Sequence, residues 1–226
     1  MNGQAGLCLS VPEAEAAAAV CGQQAAPGHA VNGKYPDTVI TGMKMLIING
    51  SPRAEGNTSE LVKQFLKKIG NKAEVEEVRV FEKNIRGCKN CGACQKAIFG
   101  THCIIEDDMV RLFPKFLSSD ITVIASPIYM WQFTPCTLAF LNRLHCLCHS
   151  EDFSYNVMAG KKLAVLITLG AEEEVADYAV NGLRDFCEFF SIDYKGDLRV
   201  PFAKKEKIEA GEYDDKVKEF AAKMLG

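Results

Sequence analysis

The chain has 226 residues, a formal net charge of −3 and a composition that is 48% hydrophobic and 24% charged. These values are ordinary for a soluble globular protein, and the slightly acidic balance gives no electrostatic reason to expect nucleic acid as a partner. The longest apolar runs, such as residues 163–168, have the length of a strand and are far too short to span a bilayer. We therefore predict a soluble protein with neither a nucleic-acid nor a membrane partner.

Cysteine usage indicates a reducing compartment. The chain contains ten cysteines, but disulfide frameworks are typical of small secreted domains, and a chain of this length can bury a proper core. Four of the cysteines are bunched within residues 88–103, where cross-links would stabilise little. We predict a cytoplasmic protein with metal-bound or free thiols.

The first 42 residues differ in composition from the rest. They are rich in Ala, Gly, Pro and Gln and lack the basic start and apolar stretch of a signal peptide. Residues 1–42 are predicted to be a disordered N-terminal extension, in which Cys8 and Cys21 are incidental. The folded domain is predicted to be residues 43–226.

From Met43 onward, strand-like and helix-like segments alternate. Five segments have the apolar character of strands: 45–50, 75–81, 121–129, 163–170 and 193–200. Helical periodicity follows in 57–69, in a helix opened by Asp107 and Asp108, in 135–148, in 173–190 and in a segment that ends at Leu225. This periodicity places Val110 and Tyr178 toward the core. The alternation predicts an α/β fold, a doubly wound five-stranded parallel sheet in the flavodoxin-like order 2-1-3-4-5, with the ligand beyond the carboxyl ends of the strands.

A polar turn, GSPRAEGNTSEL (50–61), follows the first strand. It places four side chains with hydrogen-bonding groups and one arginine at the start of a helix: Ser51, Arg53, Asn57, Thr58 and Ser59. Helix N-termini bind anions because their first N–H groups are unpaired. The turn lacks the glycine-lysine pattern of a nucleoside triphosphate loop, and a helix cap needs only one such residue. The turn therefore predicts a phosphate site.

The loop after the third strand carries Tyr129, Met130 and Trp131 in succession. Aromatic rings and a thioether make a surface on which a flat ring system stacks well. Two alternatives remain open: the patch folds back into the core, or Trp131 serves a dimer interface.

The segment GCKNCGACQKAIFGTHC contains Cys88, Cys91, Cys94 and Cys103. Two residues separate each of the first three cysteines, as in the compact runs that hold ferredoxin clusters, and the neighbouring glycines permit the positive-φ turns that such wrapping needs. A [4Fe–4S] cluster fits this spacing best. Zinc, with His102 as a further candidate ligand, and free or redox-active thiols are the alternatives.

Four other cysteines, at positions 136, 146, 148 and 187, are predicted to lie on helices as small buried hydrophobic residues. The run HCLCH (145–149) resembles a group of metal ligands. On a helix, however, neighbours one or two positions apart point in different directions, so a metal site is not expected there. Only His145 and His149, four residues apart, would share a face.

The motif G-S-P-R-x-x-G-N-T-S after the first strand resembles the FMN-phosphate loop of the NADPH-dependent FMN reductase group in the flavodoxin-like superfamily. The likeness extends to SPIYMWQFTP (126–135) and TLG (168–170), which follow the third and fourth strands. The resemblance implies that FMN binds at three loops. The implied residues are Ser51, Arg53, Asn57, Thr58, Ser59, Pro127, Ile128, Tyr129, Met130, Trp131, Leu169 and Gly170.

Within that superfamily, the cysteine segment and the following IIEDDM (104–109) resemble the iron–sulfur flavoproteins. The resemblance implies that Cys88, Cys91, Cys94 and Cys103, in a loop over residues 86–104, hold a [4Fe–4S] cluster near a subunit boundary of a homodimer or homotetramer. The eight residues between Cys94 and Cys103 are one more than the usual spacing of that motif.

These observations predict an FMN-dependent NAD(P)H oxidoreductase that transfers electrons between FMN and a cluster. Its electron acceptor is predicted to be a quinone-like molecule or a ferredoxin-like protein. The alternatives are a cluster-free NAD(P)H:FMN or quinone reductase, and a non-enzymatic electron carrier. No acid–base residue is evident, because most of the chemistry belongs to the cofactor.

Overall fold

The computed structural model describes residues 42–96, 103–149 and 155–226. The prediction of a disordered segment over residues 1–42 concerns residues that, apart from Gly42, lie outside this described part. The same holds for Cys8, Cys21 and His102.

The sheet begins at Met43. Its strands are β1 (Met43–Asn49), β2 (Ala73–Arg79), β3 (Ile121–Tyr129), β4 (Gln132–Phe133), β5 (Lys162–Thr168) and β6 (Asp193–Val200). Five of them are parallel and lie in the order β2-β1-β3-β5-β6. This arrangement confirms the predicted flavodoxin-like order. The short β4, which was not predicted, pairs antiparallel with the end of β3.

In the described part of the chain, six α-helices connect or follow these strands: α1 (Asn57–Ile69), α2 (Met109–Ser118), α3 (Pro135–Arg143), α4 (Asp177–Phe189), α5 (Lys205–Glu209) and α6 (Asp214–Leu225). The core has two clusters, because side chains alternate between the two faces of the sheet. One cluster contains buried residues of α1, α5 and α6, and the other contains those of α2, α3 and α4. The three central strands, which are covered on both faces, are correspondingly apolar. No helix in the described ranges is long and apolar enough to cross a membrane.

Two predicted core residues are exposed instead. Tyr178 is 69% exposed and Val110 is 55% exposed. On α4 the buried stripe runs through Ala179, Val180 and Leu183, which places position 178 on the opposite side of the helix. On α2, Met109 and Leu112 occupy the buried positions near Val110. The prediction that Tyr178 and Val110 face the core is therefore wrong, because each residue lies one position away from the buried stripe of its helix.

The predicted helix over 135–148 ends early. The α-helix stops at Arg143, a 3-10 turn spans Leu144–Leu147, and Cys148 forms an extended bridge with Asn156. Leu144, Cys146, Leu147 and Cys148 are all buried. Consecutive positions of an α-helix point in different directions, so a helix packed on one face would expose part of this run. The change to a 3-10 turn and an extended bridge accompanies its complete burial. The expectation that Cys148 lies on a helix, and that His145 and His149 share a helix face, is therefore wrong.

Candidate functional site

The turn after β1 is held tightly against α3. The Gly50 N–H donates to the Ala125 carbonyl oxygen at 2.7 Å, and the Thr134 hydroxyl donates to the Gly50 carbonyl oxygen at 2.8 Å. A Cβ atom at position 50 would lie 1.9 Å from the Thr137 hydroxyl oxygen. Only glycine therefore fits at the start of this turn.

Polar side chains beneath the turn fix its path. The buried Asn49 side chain accepts a hydrogen bond from the Ser51 N–H at 2.9 Å and donates to Glu77 Oε1 at 2.7 Å. The Ser59 hydroxyl donates to the Arg53 carbonyl oxygen at 3.0 Å and accepts from Arg79 Nη1 at 3.2 Å. Ser59 thus braces the turn from inside the protein.

The first helical turn beyond this loop leaves N–H groups available. The residue that precedes α1 is Gly56, which has no side chain to cap the helix. The Thr58 and Thr168 hydroxyl oxygens lie 2.6 Å apart in a hydrogen bond, and the Asn57 side chain donates to the Ala203 carbonyl oxygen at 2.6 Å. These contacts join the start of α1 to the end of β5 and to the loop that follows β6.

The carboxyl ends of β1, β3 and β5 surround one cavity. Nine of the predicted flavin-site residues line it: Ser51, Arg53, Asn57, Thr58, Pro127, Ile128, Tyr129, Leu169 and Gly170. Ser59, Met130 and Trp131 are not among its lining residues. Thr168 and Ala203 also line the cavity. Ala203 could not be predicted from its side chain, because its contact with Asn57 is made by its backbone carbonyl oxygen. Of the described lining residues, Arg53 is the one that carries a charge.

Met130 and Trp131 form the two-residue tip of the β3–β4 hairpin. Both have positive φ angles, 48° and 64°, as a type I′ turn requires. This conformation is unfavourable for residues other than Gly, Asn and Asp. Met130 is 81% exposed and Trp131 is 49% exposed. The hairpin therefore presents a strained, apolar tip to the surface rather than folding it into the core.

The two ends of the cysteine loop are tied together by aspartates at the start of α2. Asp107 accepts hydrogen bonds from the backbone N–H groups of Arg86 and Met109 at 2.9 and 3.0 Å. Asp108 accepts from the Asn84 N–H at 2.8 Å. The incoming and outgoing limbs of the loop therefore share one base, at the N-terminus of a helix.

All four cysteines of this loop line one small cavity. Cys88 and Cys91 are exposed, whereas Cys94 and Cys103 are half-buried and pack against the core. Positive φ angles at Asn90 and Gly92 turn the backbone between them. Within the described ranges, no group of three or more His, Cys, Asp or Glu side chains is gathered closely enough to hold a metal ion. The structure thus places the thiols around a common space without assembling them into a finished site.

A fifth cysteine, Cys146, lines the same cavity. Burial, together with the nearby Cys103 and Cys94, raises the pKa of Cys146 to about 12. The Cys146 sulfur is therefore a neutral thiol at physiological pH. Beside it, the Gln95 side chain donates to the Cys148 carbonyl oxygen at 2.9 Å, which holds the loop against the segment after α3.

Arg143 was not predicted as part of any site, yet it lines the cysteine cavity. It lies at the end of α3 and is only 2% exposed. Its Nη1 donates to Asp107 Oδ2 at 2.6 Å, in an ion pair whose two side chains are almost completely buried. Charged residues are almost never fully buried unless they are paired, so sequence pattern alone would assign this arginine to the surface.

A larger and mainly apolar groove of about 600 Å³ lies next to the cysteine cavity, within the range typical of ligand pockets. Cys88 and His145 line both of them. The β3–β4 hairpin links this groove to the flavin-loop cavity: Tyr129 lines the latter, and its cross-strand partner Gln132 lines the groove. One hairpin therefore borders both spaces.

The family model for NADPH-dependent FMN reductase matches residues 43–193. Among curated proteins, an iron–sulfur flavoprotein of Archaeoglobus fulgidus is 34% identical over 137 residues, which are 60% of this chain and 60% of that protein. An iron–sulfur flavoprotein of Methanosarcina thermophila is 30% identical over 124 residues, which are 54% of this chain and 63% of that protein. The matches thus span less than two thirds of these relatives' lengths.

Solved structures share the fold at low sequence identity. An FMN-dependent NADH-azoreductase from Bacillus anthracis, in complex with FMN, superimposes with a TM-score of 0.61 at 17% identity, covering 81% of this chain and 100% of that one. An NAD(P)H:quinone oxidoreductase from Methanothermobacter marburgensis gives a TM-score of 0.63 at 12% identity, covering 81% and 96%. Both support the flavodoxin-like architecture.

Proposed function

The chain belongs to the NADPH-dependent FMN reductase family, and from that premise we propose that it is an FMN-dependent NAD(P)H oxidoreductase of the iron–sulfur flavoprotein type. Its cysteine loop holds a [4Fe–4S] cluster in this proposal. The observation that carries the proposal is a pair of cavities joined through the apolar groove: the β3–β4 hairpin borders the first cavity and the groove, and the groove shares Cys88 with the second cavity. One cavity is lined by polar loops suited to a phosphate ester, and the other by four thiols.

The residues of the first cavity fit an FMN phosphate. Ser51 and Thr58 supply hydroxyl groups, Asn57 supplies an amide, and Arg53 supplies the positive charge. The uncapped start of α1 adds backbone N–H groups and a favourable helix dipole. Hydrogen bonds with Asn49 and Ser59 already brace this turn, which supports a preformed anion site.

The hairpin provides the surface for the flavin ring. Tyr129 lines the cavity, and the exposed Met130 and Trp131 stand at the adjacent tip. Their strained backbone is of the kind that clusters at ligand sites. In the proposal, Tyr129 contacts the ring and the apolar tip excludes water from it. FMN itself supplies the chemistry, accepting hydride from a nicotinamide and passing on electrons singly or in pairs.

The residues of the second cavity fit a cluster by their chemistry. Four thiolates are the usual ligands of [4Fe–4S] clusters, and Cys88, Cys91, Cys94 and Cys103 would hold it. The buried Arg143, whose guanidinium is paired with Asp107, belongs to the lining of the same cavity. The groove shares Cys88 with this second cavity and Gln132 with the hairpin that borders the first, and this continuity supports electron transfer between the two.

The proposal includes a quinone-like or ferredoxin-like acceptor and a homodimer or homotetramer. The cytoplasmic location stays a prediction from cysteine usage. Light scattering of the purified chain tests the oligomeric state directly.

Anaerobic turnover tests the proposed activity. The chain should bind one FMN, NADH or NADPH should bleach the flavin absorption, and a soluble quinone should restore it. Protein that cannot be loaded with FMN would overturn the proposal. If FMN binds and reduced ferredoxin bleaches it but neither nicotinamide does, the chain is an electron carrier rather than an enzyme.

A second candidate is a cluster-free FMN or quinone reductase. The exposure of Cys88 and Cys91 favours it, because accessible thiols in a C-x-x-C spacing exchange readily. Full turnover with NAD(P)H and quinone in iron-free protein would select this candidate.

A further inference from the structure

The two terminal nitrogens of the Arg143 guanidinium, Nη1 and Nη2, donate hydrogen bonds to neighbouring groups. Nη1 donates to the Arg86 carbonyl oxygen at 2.9 Å and to Asp107 Oδ2 at 2.6 Å, and Nη2 donates to the Ile105 carbonyl oxygen at 3.3 Å. An arginine carries five N–H groups, so these bonds leave part of its donor capacity unused.

The unused donor includes Nε, which is buried and has no hydrogen-bond partner. It stands out among the described residues, where no other buried side-chain nitrogen or oxygen atom lacks a partner. A buried donor left unsatisfied costs roughly 1–3 kcal/mol, and such an atom in a native protein calls for a physical reason.

The cysteine cavity supplies a reason. Arg143, Cys103 and Cys146 all line it. The buried, unpartnered Nε therefore belongs to a residue that borders the same small space as Cys103.

We propose that Arg143 is a positioning residue for the cluster: when the cluster is bound, its Nε–H donates to the Cys103 sulfur, and its charge stabilises the reduced cluster. The inference rests on the proposed function, since it requires the cluster. Asp107 holds the opposite edge of the guanidinium and so keeps Nε directed to the cavity, in the way that outer partners orient metal ligands. Hydrogen bonds to sulfur and local charge are established determinants of cluster potential.

The test is a redox titration of the full chain, reconstituted anaerobically, with dithionite as reductant and electron paramagnetic resonance as readout. Arg143→Met should shift the midpoint potential of the cluster to a more negative value while iron content stays unchanged. Arg143→Lys, which keeps the charge but lacks Nε–H, should give a smaller shift. The matched control is Arg199→Met, because Arg199 also forms ion pairs with aspartate side chains, those of Asp177 and Asp197, but lies on β6, and it should leave the potential unchanged.

Equal potentials in wild type, Arg143→Met and Arg143→Lys would overturn the inference while leaving the proposed function intact. Wild-type chain that binds FMN but no iron after reconstitution would instead overturn the cluster assignment, and the inference with it.

A measurement on the wild-type chain covers the case in which Arg143→Met does not fold. Protein grown with 15N-arginine should show a nitrogen coupling to the reduced cluster in electron–nuclear double resonance, and unlabelled protein should show the corresponding 14N signal. Spectra that contain no arginine nitrogen coupling would contradict the proposed hydrogen bond.

Discussion

The flavin-loop cavity and the cysteine cavity are held together by different means. The first lies where the fold itself brings three strand ends together, and the hydrogen bond between Thr58 and Thr168 joins the start of α1 to the end of β5. The second lies in the long connection between β2 and α2, and a buried ion pair between Arg143 and Asp107 anchors it. The first site follows from the topology of the sheet, whereas the second depends on a few charged groups.

This difference indicates how each site responds to change. FMN binding in the flavin-loop cavity should tolerate the loss of a single side-chain contact, because several residues each contribute a small part of the binding free energy. The cysteine loop should be sensitive to substitution, because its anchor is one desolvated charge pair and two of its four thiols are exposed.

The largest expected effect is on the cluster. Cys91→Ser should reduce iron content from about four atoms per chain, as four-thiolate ligation implies, to a small fraction, while FMN content stays unchanged. Cys91 is exposed, so the fold should be unaffected. Cys187→Ala, which changes a buried cysteine outside the loop, should retain full iron. Undiminished iron in Cys91→Ser would remove this residue from the ligand set.

The second effect concerns the anchor. Asp107→Asn leaves the buried Arg143 charge without its partner, which should lower the free energy of unfolding by about 3–5 kcal/mol, measured by urea denaturation. The control is Asp193→Asn, which breaks a partly exposed pair with Lys195 and should cost about 0–1 kcal/mol. Equal effects of the two substitutions would show that the buried pair is not a special anchor.

The anchor also predicts a pH dependence. Burial alone would raise the pKa of Asp107, but hydrogen bonds from Arg143 and from two backbone N–H groups hold the pKa below its ordinary value of 3.8. The unfolded chain therefore binds this proton first as the pH falls. The stabilisation is complete above the ordinary pKa and is lost as the pH falls below it, toward the lower pKa of the folded state. The free energy of unfolding, measured by urea denaturation at several pH values, should fall less steeply with acid in Asp107→Asn than in wild type. An equal fall in both proteins would contradict the role of Asp107.

A smaller effect is expected in the flavin cavity. Arg53→Ala should weaken FMN binding about 10-fold, equivalent to about 1.4 kcal/mol, because Arg53 is exposed and its contribution is screened. Isothermal titration with FMN measures this change. Arg111→Ala, which removes an exposed arginine from α2, should leave affinity unchanged, and equal affinity in both variants would remove Arg53 from the phosphate site.

The smallest effect concerns the hairpin tip. Met130→Asn should increase the free energy of unfolding by about 1 kcal/mol, because asparagine tolerates positive φ and the exposed methionine loses little packing. Met130→Leu retains the strain and serves as the control. If chemical denaturation finds no difference between the two variants, the tip is not strained.

The sequence predicted the fold well because its main signals are local and repeated. Alternating apolar strands and amphipathic helices give the order of the parallel strands, and the polar turn at 50–61 lies at the end of the first of them. The cysteine spacing likewise predicts thiols around one space, and the structure places all four around one cavity.

What the sequence did not predict depends on tertiary contacts. Positive φ at Met130 and Trp131 contradicts local preference and is imposed by strand pairing of β4 with β3. The buried role of Arg143 arises because Asp107, 36 positions away in the chain, accepts its hydrogen bond. Neither feature changes the hydrophobic periodicity from which the helices and strands were predicted.

The most direct test of the central claim is an absorption spectrum of anaerobically purified chain, together with iron and sulfide analysis. The proposal predicts flavin bands over a broad iron–sulfur absorption, and about four irons and four sulfides per chain. Flavin bands without iron, persisting after attempted cluster reconstitution, would contradict the two-cofactor proposal and leave a simple FMN reductase.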